Sequence, residues 1–200
     1  MFKALAAIIF IAISLTGCGS LRLVDTEVRS FATPPTVPAG ALFRFERLPS
    51  QQADAAAQTR LEALAQRALE QAGLQRDDAQ ASYSVQVTYG LKVDSRAPWE
   101  QTEPTFGMNW GLGWGGRGGA LMLGGRAPFG QLATSPYYWR QVSLIIRSLG
   151  TQHIVFESHA AHDGRWSDSE AILPALFDAA LRGFPNPPPG VRQINIEIPR

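Results

Sequence analysis

The chain has 200 residues, of which 45% are hydrophobic and 18% charged. That balance excludes a wholly disordered protein and fits one domain with room for a leader or a tail. Eighteen Lys and Arg against 17 Asp and Glu leave a formal net charge of +1, so no polybasic nucleic-acid surface announces itself, and a single Cys excludes an internal disulfide or a multi-cysteine metal centre.

The first 17 residues carry one charge, Lys3, ahead of an apolar run from Ala4 to Leu15 broken only by Ser14. A positive start, an apolar stretch and then small residues is the layout of a secretory signal. Twelve helical residues reach about 18 Å, short of the roughly 30 Å of bilayer hydrocarbon. The run ends in Leu15-Thr16-Gly17-Cys18, which resembles the bacterial lipobox at all four positions. The resemblance implies a diacylglyceryl group on the Cys18 thiol and cleavage just before it. Leu15, Thr16 and Gly17 would then be the peptidase recognition residues, and the new amine would be acylated. The competing reading is an ordinary leader with an incidental Cys. Three acyl chains anchor stably where one holds marginally. Gly19, rather than Asp, implies the outer membrane by similarity to Gram-negative lipoproteins. The expected organisation is a signal at 1–17, a lipidated start at 18–20 and a single α+β domain over 21–200.

Within that domain Val24, Thr26, Val28 and Ser30 alternate with Asp25, Glu27 and Arg29, which predicts a first strand over 21–31. A breaker-rich connection with three Pro and a Gly follows over 32–40. Phe43 and Phe45 alternate with Arg44 and Glu46, predicting a second strand over 41–48. Pro49-Ser50 predicts a helix start with Ser50 as N-cap. Leu61, Leu64, Ala65, Ala68, Leu69 and Ala72 form one apolar stripe, and Gly73 stops the helix. Tyr83 to Asp94 alternates at period two throughout, with a polar second face that suits an antiparallel sheet open to water.

Residues 98–136 break every period. Between Thr105 and Gly130, ten of 26 residues are Gly, and this is read as a long Gly/Trp-rich insertion between strands. Tyr137–Ser148 and a strand from Ile154 form a hairpin around Leu149-Gly150-Thr151. Ser167-Asp168-Ser169-Glu170 has capping-box spacing ahead of a second helix. Ile172, Leu173, Leu176, Phe177, Ala180, Leu181 and Phe184 would face inward, and Pro174 demands a later start or a kink. A Pro-rich connection at 185–190 precedes a short strand at Ile194, Ile196 and Ile198. Two helices packed on one face of a mainly antiparallel sheet bury every apolar face at once.

A lipobox, the stretch Phe43-Arg44-Phe45-Glu46-Arg47-Leu48-Pro49, a helix and Tyr83-Ser84-Val85-Gln86-Val87 together resemble the bacterial lipoproteins grouped as domain of unknown function 4136. The Gly/Trp-rich stretch before a hairpin and the ending Gly183-Phe184-Pro185 fit as well. The resemblance spans roughly Leu21 to Pro185. It implies an envelope lipoprotein with no assigned activity, and carries over no functional residue except Cys18.

Candidate chemistry is sparse. Gly111-Leu112-Gly113-Trp114-Gly115-Gly116 matches G-x-G-x-x-G, but no helix pattern follows to offer a phosphate its amides. His153 and His159 share a solvent-facing register and His162 points the other way, so no metal site is expected. No G-x-S-x-G elbow occurs, and Ser158 would face away from His159. No cofactor is expected, and the chain is read as non-catalytic.

The insertion supports two readings. One is a tolerated low-complexity loop. The other is an arm presenting Trp99, Trp110 and Trp114 to a membrane or a partner. The expected function is an outer-membrane-anchored periplasmic lipoprotein with a structural or accessory protein-binding role. Its partners would be the membrane, through the N-terminal lipid, and an envelope protein. The alternative is a carrier or sensor of an apolar ligand held between helices and sheet.

Overall fold

Period-two alternation and one helical stripe set most of the architecture. The computed structural model describes residues 21–94 and 136–199. The expected leader, Cys18 and almost all of the expected 98–136 insertion lie outside the described residues. The order is β1 (Leu21–Ala32), β2 (Leu42–Phe45), α1 (Pro49–Ala53), α2 (Ala55–Gln71), β3 (Gln75–Arg76), β4 (Tyr83–Asp94), β5 (Tyr137–Ser148), β6 (Ile154–Gly164), α3 (Ser169–Ala180) and β7 (Val191–Pro199). The α+β class is as the sequence implied.

The seven strands form one sheet in the order β3-β2-β4-β5-β6-β1-β7. Most pairs are antiparallel, but β2 runs parallel to both β3 and β4. The connection from β2 to β4 passes through both α1 and α2, as a parallel crossover requires. The long central pair is in continuous register, from Tyr83 opposite Ser148 to Asp94 opposite Tyr137. On its inner face Val85, Val87, Val142, Leu144 and Ile146 are fully buried. They meet Leu61, Ala65 and Leu69 of α2 and Ile172, Leu176 and Phe177 of α3 in a single core. Each large side chain there contributes about 1.5–3 kcal/mol through burial.

Gly73 ends α2 at φ +94°. Leu74 N–H donates to Leu69 O and Gly73 N–H to Glu70 O, both at 3.0 Å, the paired bonds of a left-handed C-terminal cap. Leu69 and Leu74 are both buried beside it.

Several expectations change. The second strand is four residues long, not eight. The first helix is two helices, and Ser50 lies inside α1 rather than capping it. The chain leaves helical geometry at Asp54 (φ −119°, ψ 65°), whose carboxylate then accepts from Ala57 N–H at 3.2 Å and starts α2. Gln51 holds the break in place, accepting from Leu48 N–H at 2.8 Å and donating to Val87 O at 2.7 Å. The Ser167–Glu170 capping box does not form. Asp168 sits at the N-cap without a side-chain capping bond, because its carboxylate is taken by Arg22. The short β3 is unforeseen, and β7 is longer than expected, pairing with β1 from Leu21 opposite Pro199 to Arg29 opposite Val191.

Candidate functional site

Among the described residues the helices cover one face of the sheet and leave the other open, so cross-strand rows on the open face carry the available chemistry. One row runs Thr88, Ser143, His159, Arg29 across β4, β5, β6 and β1. In it Ser143 Oγ lies 2.8 Å from His159 Nδ1, and His159 Nε2 lies 2.7 Å from Glu157 Oε1. This is a Ser–His–carboxylate chain in which the imidazole is oriented on both sides. The sequence reading missed Ser143, having weighed only serines near His159 in the chain. The signal was present: Ser143 alternates with Val142 and Leu144 and so falls on the outer face, as His159 does. Only the hairpin register brings the two together.

That chain lacks what acyl transfer requires beside it. Ser143 lies mid-strand between β4 and β6, where ladder bonds occupy the neighbouring amides rather than leaving a pair free for an oxyanion. His159 and Glu157 are about a third exposed, at 33% and 37%, so water competes for both.

The next row, Gly90, Gln141, Ala161, Glu27, continuing to Gln193, is nearly bare at two positions. There a groove of about 560 Å³ opens, with Gly90 and Ala161 as its floor and Trp139, Lys92, Asp25 and Asp163 among its walls. A side-chain carbon at Gly90 would meet nothing within 4 Å, so the depth of the groove depends on that glycine. Tyr137 donates its hydroxyl to the Asp163 carboxylate at the margin. Burial first, and that carboxylate second, push the Tyr137 phenol up to about 12, so it stays neutral. The groove thus has an aromatic wall beside a rim of both charges.

The histidines separate. His153 is exposed and precedes β6, and His159 is on the open face. His162 is 3% exposed on the inner face, where Nδ1 lies 2.7 Å from the Asp25 carbonyl. The alternation placed His162 on that side, where Arg140 and the Trp166 segment lie across it. Among the described residues no group of three or more His, Cys, Asp or Glu gathers to hold a metal ion.

Beside His162 across the ladder stands Arg140, 1% exposed. It donates to Ser169 Oγ at 2.9 Å and to the Trp166 carbonyl, and lies over the Tyr138 ring at 4.9 Å. It ties the start of α3 to the sheet. Leu15, Thr16, Gly17, Cys18, Trp99, Trp110 and Trp114 lie outside the described residues.

A family model described as Domain of unknown function (DUF4136) matches residues 25–186. The chain belongs to the DUF4136 family. No curated relative matches it. Among solved structures, the DUF4136 chain resembles a PDZ domain protein from Parabacteroides distasonis ATCC 8503. The TM-score is 0.51 at 13% identity, over 94% of this chain and 41% of that one. The chain therefore spans about two fifths of that protein, and the likeness is one of fold. A PelC dodecamer from Paraburkholderia phytofirmans aligns at TM-score 0.42 and 12% identity, covering 81% of this chain and 99% of that chain.

Proposed function

We propose that this DUF4136 chain is a lipoprotein held by Cys18 on the periplasmic face of the outer membrane. There it binds another envelope protein and catalyses no reaction. The observation that carries the reading is Leu15-Thr16-Gly17-Cys18 at the end of a twelve-residue apolar run, with the chain's one Cys at the position the modification needs. The open sheet face supports a binding role, because it offers a groove with an aromatic wall while the opposite face is closed by α2 and α3. The space between helices and sheet is filled by Leu69, Leu144, Phe156, Leu176 and Phe177, which favours a binding surface over a carrier of an apolar ligand. No helix among the described residues is long and apolar enough to cross a membrane.

Replacing Cys18→Ser tests the anchor. The variant is expected to lose incorporation of a clickable palmitate analogue and to leave the membrane fraction. A variant that stays with the membrane and still takes up label overturns it.

A further inference from the structure

The strands end together, and one end of the sheet differs from the other. β1 begins at Leu21, beside the last residues of β7, the last of β6, the first of β5 and the last of β4. At that end Leu21 and Leu23 are 61% and 48% exposed, and Leu91, Val93 and Trp139 are 48%, 51% and 39% exposed. These are five of the nine large apolar side chains exposed among the described residues. They occupy both sides of the sheet, because Leu21, Leu23 and Trp139 alternate onto the open face while Leu91 and Val93 fall on the helix side. Trp139 and Trp166, the two described tryptophans, both sit here, and Tyr137 stacks edge-on to Trp139 at 5.5 Å.

The distance to Cys18 decides what such an end would meet. Three residue steps separate Cys18 from Leu21, at most about 11 Å of extended chain. β1 then runs 12 residues away from that point, about 40 Å at strand rise. With Cys18 acylated, so short a tether would hold the Leu21 end at the headgroup layer and the Ala32 end far from it. Exposed apolar side chains on both sides of the sheet suit the headgroup–acyl boundary, and the two basic groups at this end, Lys92 and Arg22, are paired with Asp94 and Asp168.

We propose that this end of the sheet is a membrane-contacting surface. Leu23 and Val93 enter the headgroup region from the two sides of the sheet, with Leu21 and Leu91 beside them, so the lipid fixes the domain's orientation as well as its location. The proposal rests on acylation of Cys18. It commits to a lipid surface; a protein covering the same patch is an outcome of the test.

The test uses the full acylated chain in vesicles of phosphatidylethanolamine and phosphatidylglycerol, with no other protein present. Single labelling cysteines replace Leu23→Cys, Val93→Cys or, at the far end, Ile154→Cys, and each carries an environment-sensitive fluorophore. Circular dichroism checks the fold of each. Bromine-labelled lipid is expected to quench the labels at 23 and 93 about threefold more than the label at 154, matching shallow interfacial burial. Equal quenching at all three positions, or none at 23 and 93 on a chain whose intact mass shows the acyl groups, overturns the surface and leaves the anchor standing. Protection of 23 and 93 only when envelope protein is added also overturns it, in favour of a protein contact. An intact mass without acyl groups overturns the anchor, and the surface falls with it.

Discussion

Asp178, in α3, is a carboxylate that burial pushes above its usual range, with Arg182 pulling the other way. A raised native pKa means the group's contribution to stability is fully present below the unfolded value and is lost as pH rises through the native one. At neutral pH the ionised, half-buried group is therefore a cost. Asp178→Asn is expected to raise the melting temperature by a few degrees at pH 7, and the gain should vanish below the ordinary carboxylate range. A lower melting temperature at pH 7 would mean that Arg182 contributes more than desolvation costs. The Asp168 carboxylate behaves oppositely. Its bond to the Arg22 guanidinium holds it below its usual range, so what it contributes is present at neutral pH and lost in acid. Neither shift was legible in the sequence. Composition gives a residue its reference pKa, and only the fold decides whether a cation or an apolar wall stands beside it.

At the scale of elements, the sequence spoke most clearly where one pattern repeated. β4 and β5 match the alternation closely, and Leu61, Ala65, Ala68 and Leu69 of the stripe are buried in α2, joined there by Gln58 and Glu62. It misled where two local signals competed. Ser50 and Asp54 both have capping chemistry, and the choice fell to Asp54 because Gln51 is committed to Leu48 and Val87. α3 shows the limit of propensity. Pro174 lies inside the helix, which nonetheless starts at Ser169 and continues to Ala180. Proline cannot donate to the Glu170 carbonyl, and its ring crowds that carbonyl. The helix tolerates this because Ile172, Leu173, Leu176 and Phe177 on either side are all buried. Pro174→Ala should restore the missing bond. Set against the greater freedom it gives the unfolded chain, a net gain of about 1–2 kcal/mol is expected in chemical denaturation. A loss of stability would show that the proline ring itself packs against the core.

For the whole molecule, pairing register was the least accessible property, because it joins residues far apart in the chain. The parallel placement of β2, the contact of Ser143 with His159 and the seat of His162 all follow from register, and no window of sequence contains it. Register also brings together the two residues that flank the Gly/Trp-rich segment. Asp94 and Tyr137 are directly paired, so their Cα atoms are only about 5 Å apart and a short turn can join β4 to β5. Deleting Thr105–Gly130 while keeping the flanking residues is therefore expected to leave the melting temperature within a few degrees of the parent. The closed loop becomes shorter, and loop-closure entropy changes only with the logarithm of length. If Trp110 and Trp114 form an interaction arm, the same deletion abolishes crosslinking to the envelope partner in intact cells while acylation at Cys18 persists. Unchanged crosslinking would assign the contact to the open sheet face instead, and Gly90→Leu, which fills the groove over Ala161, should then remove it.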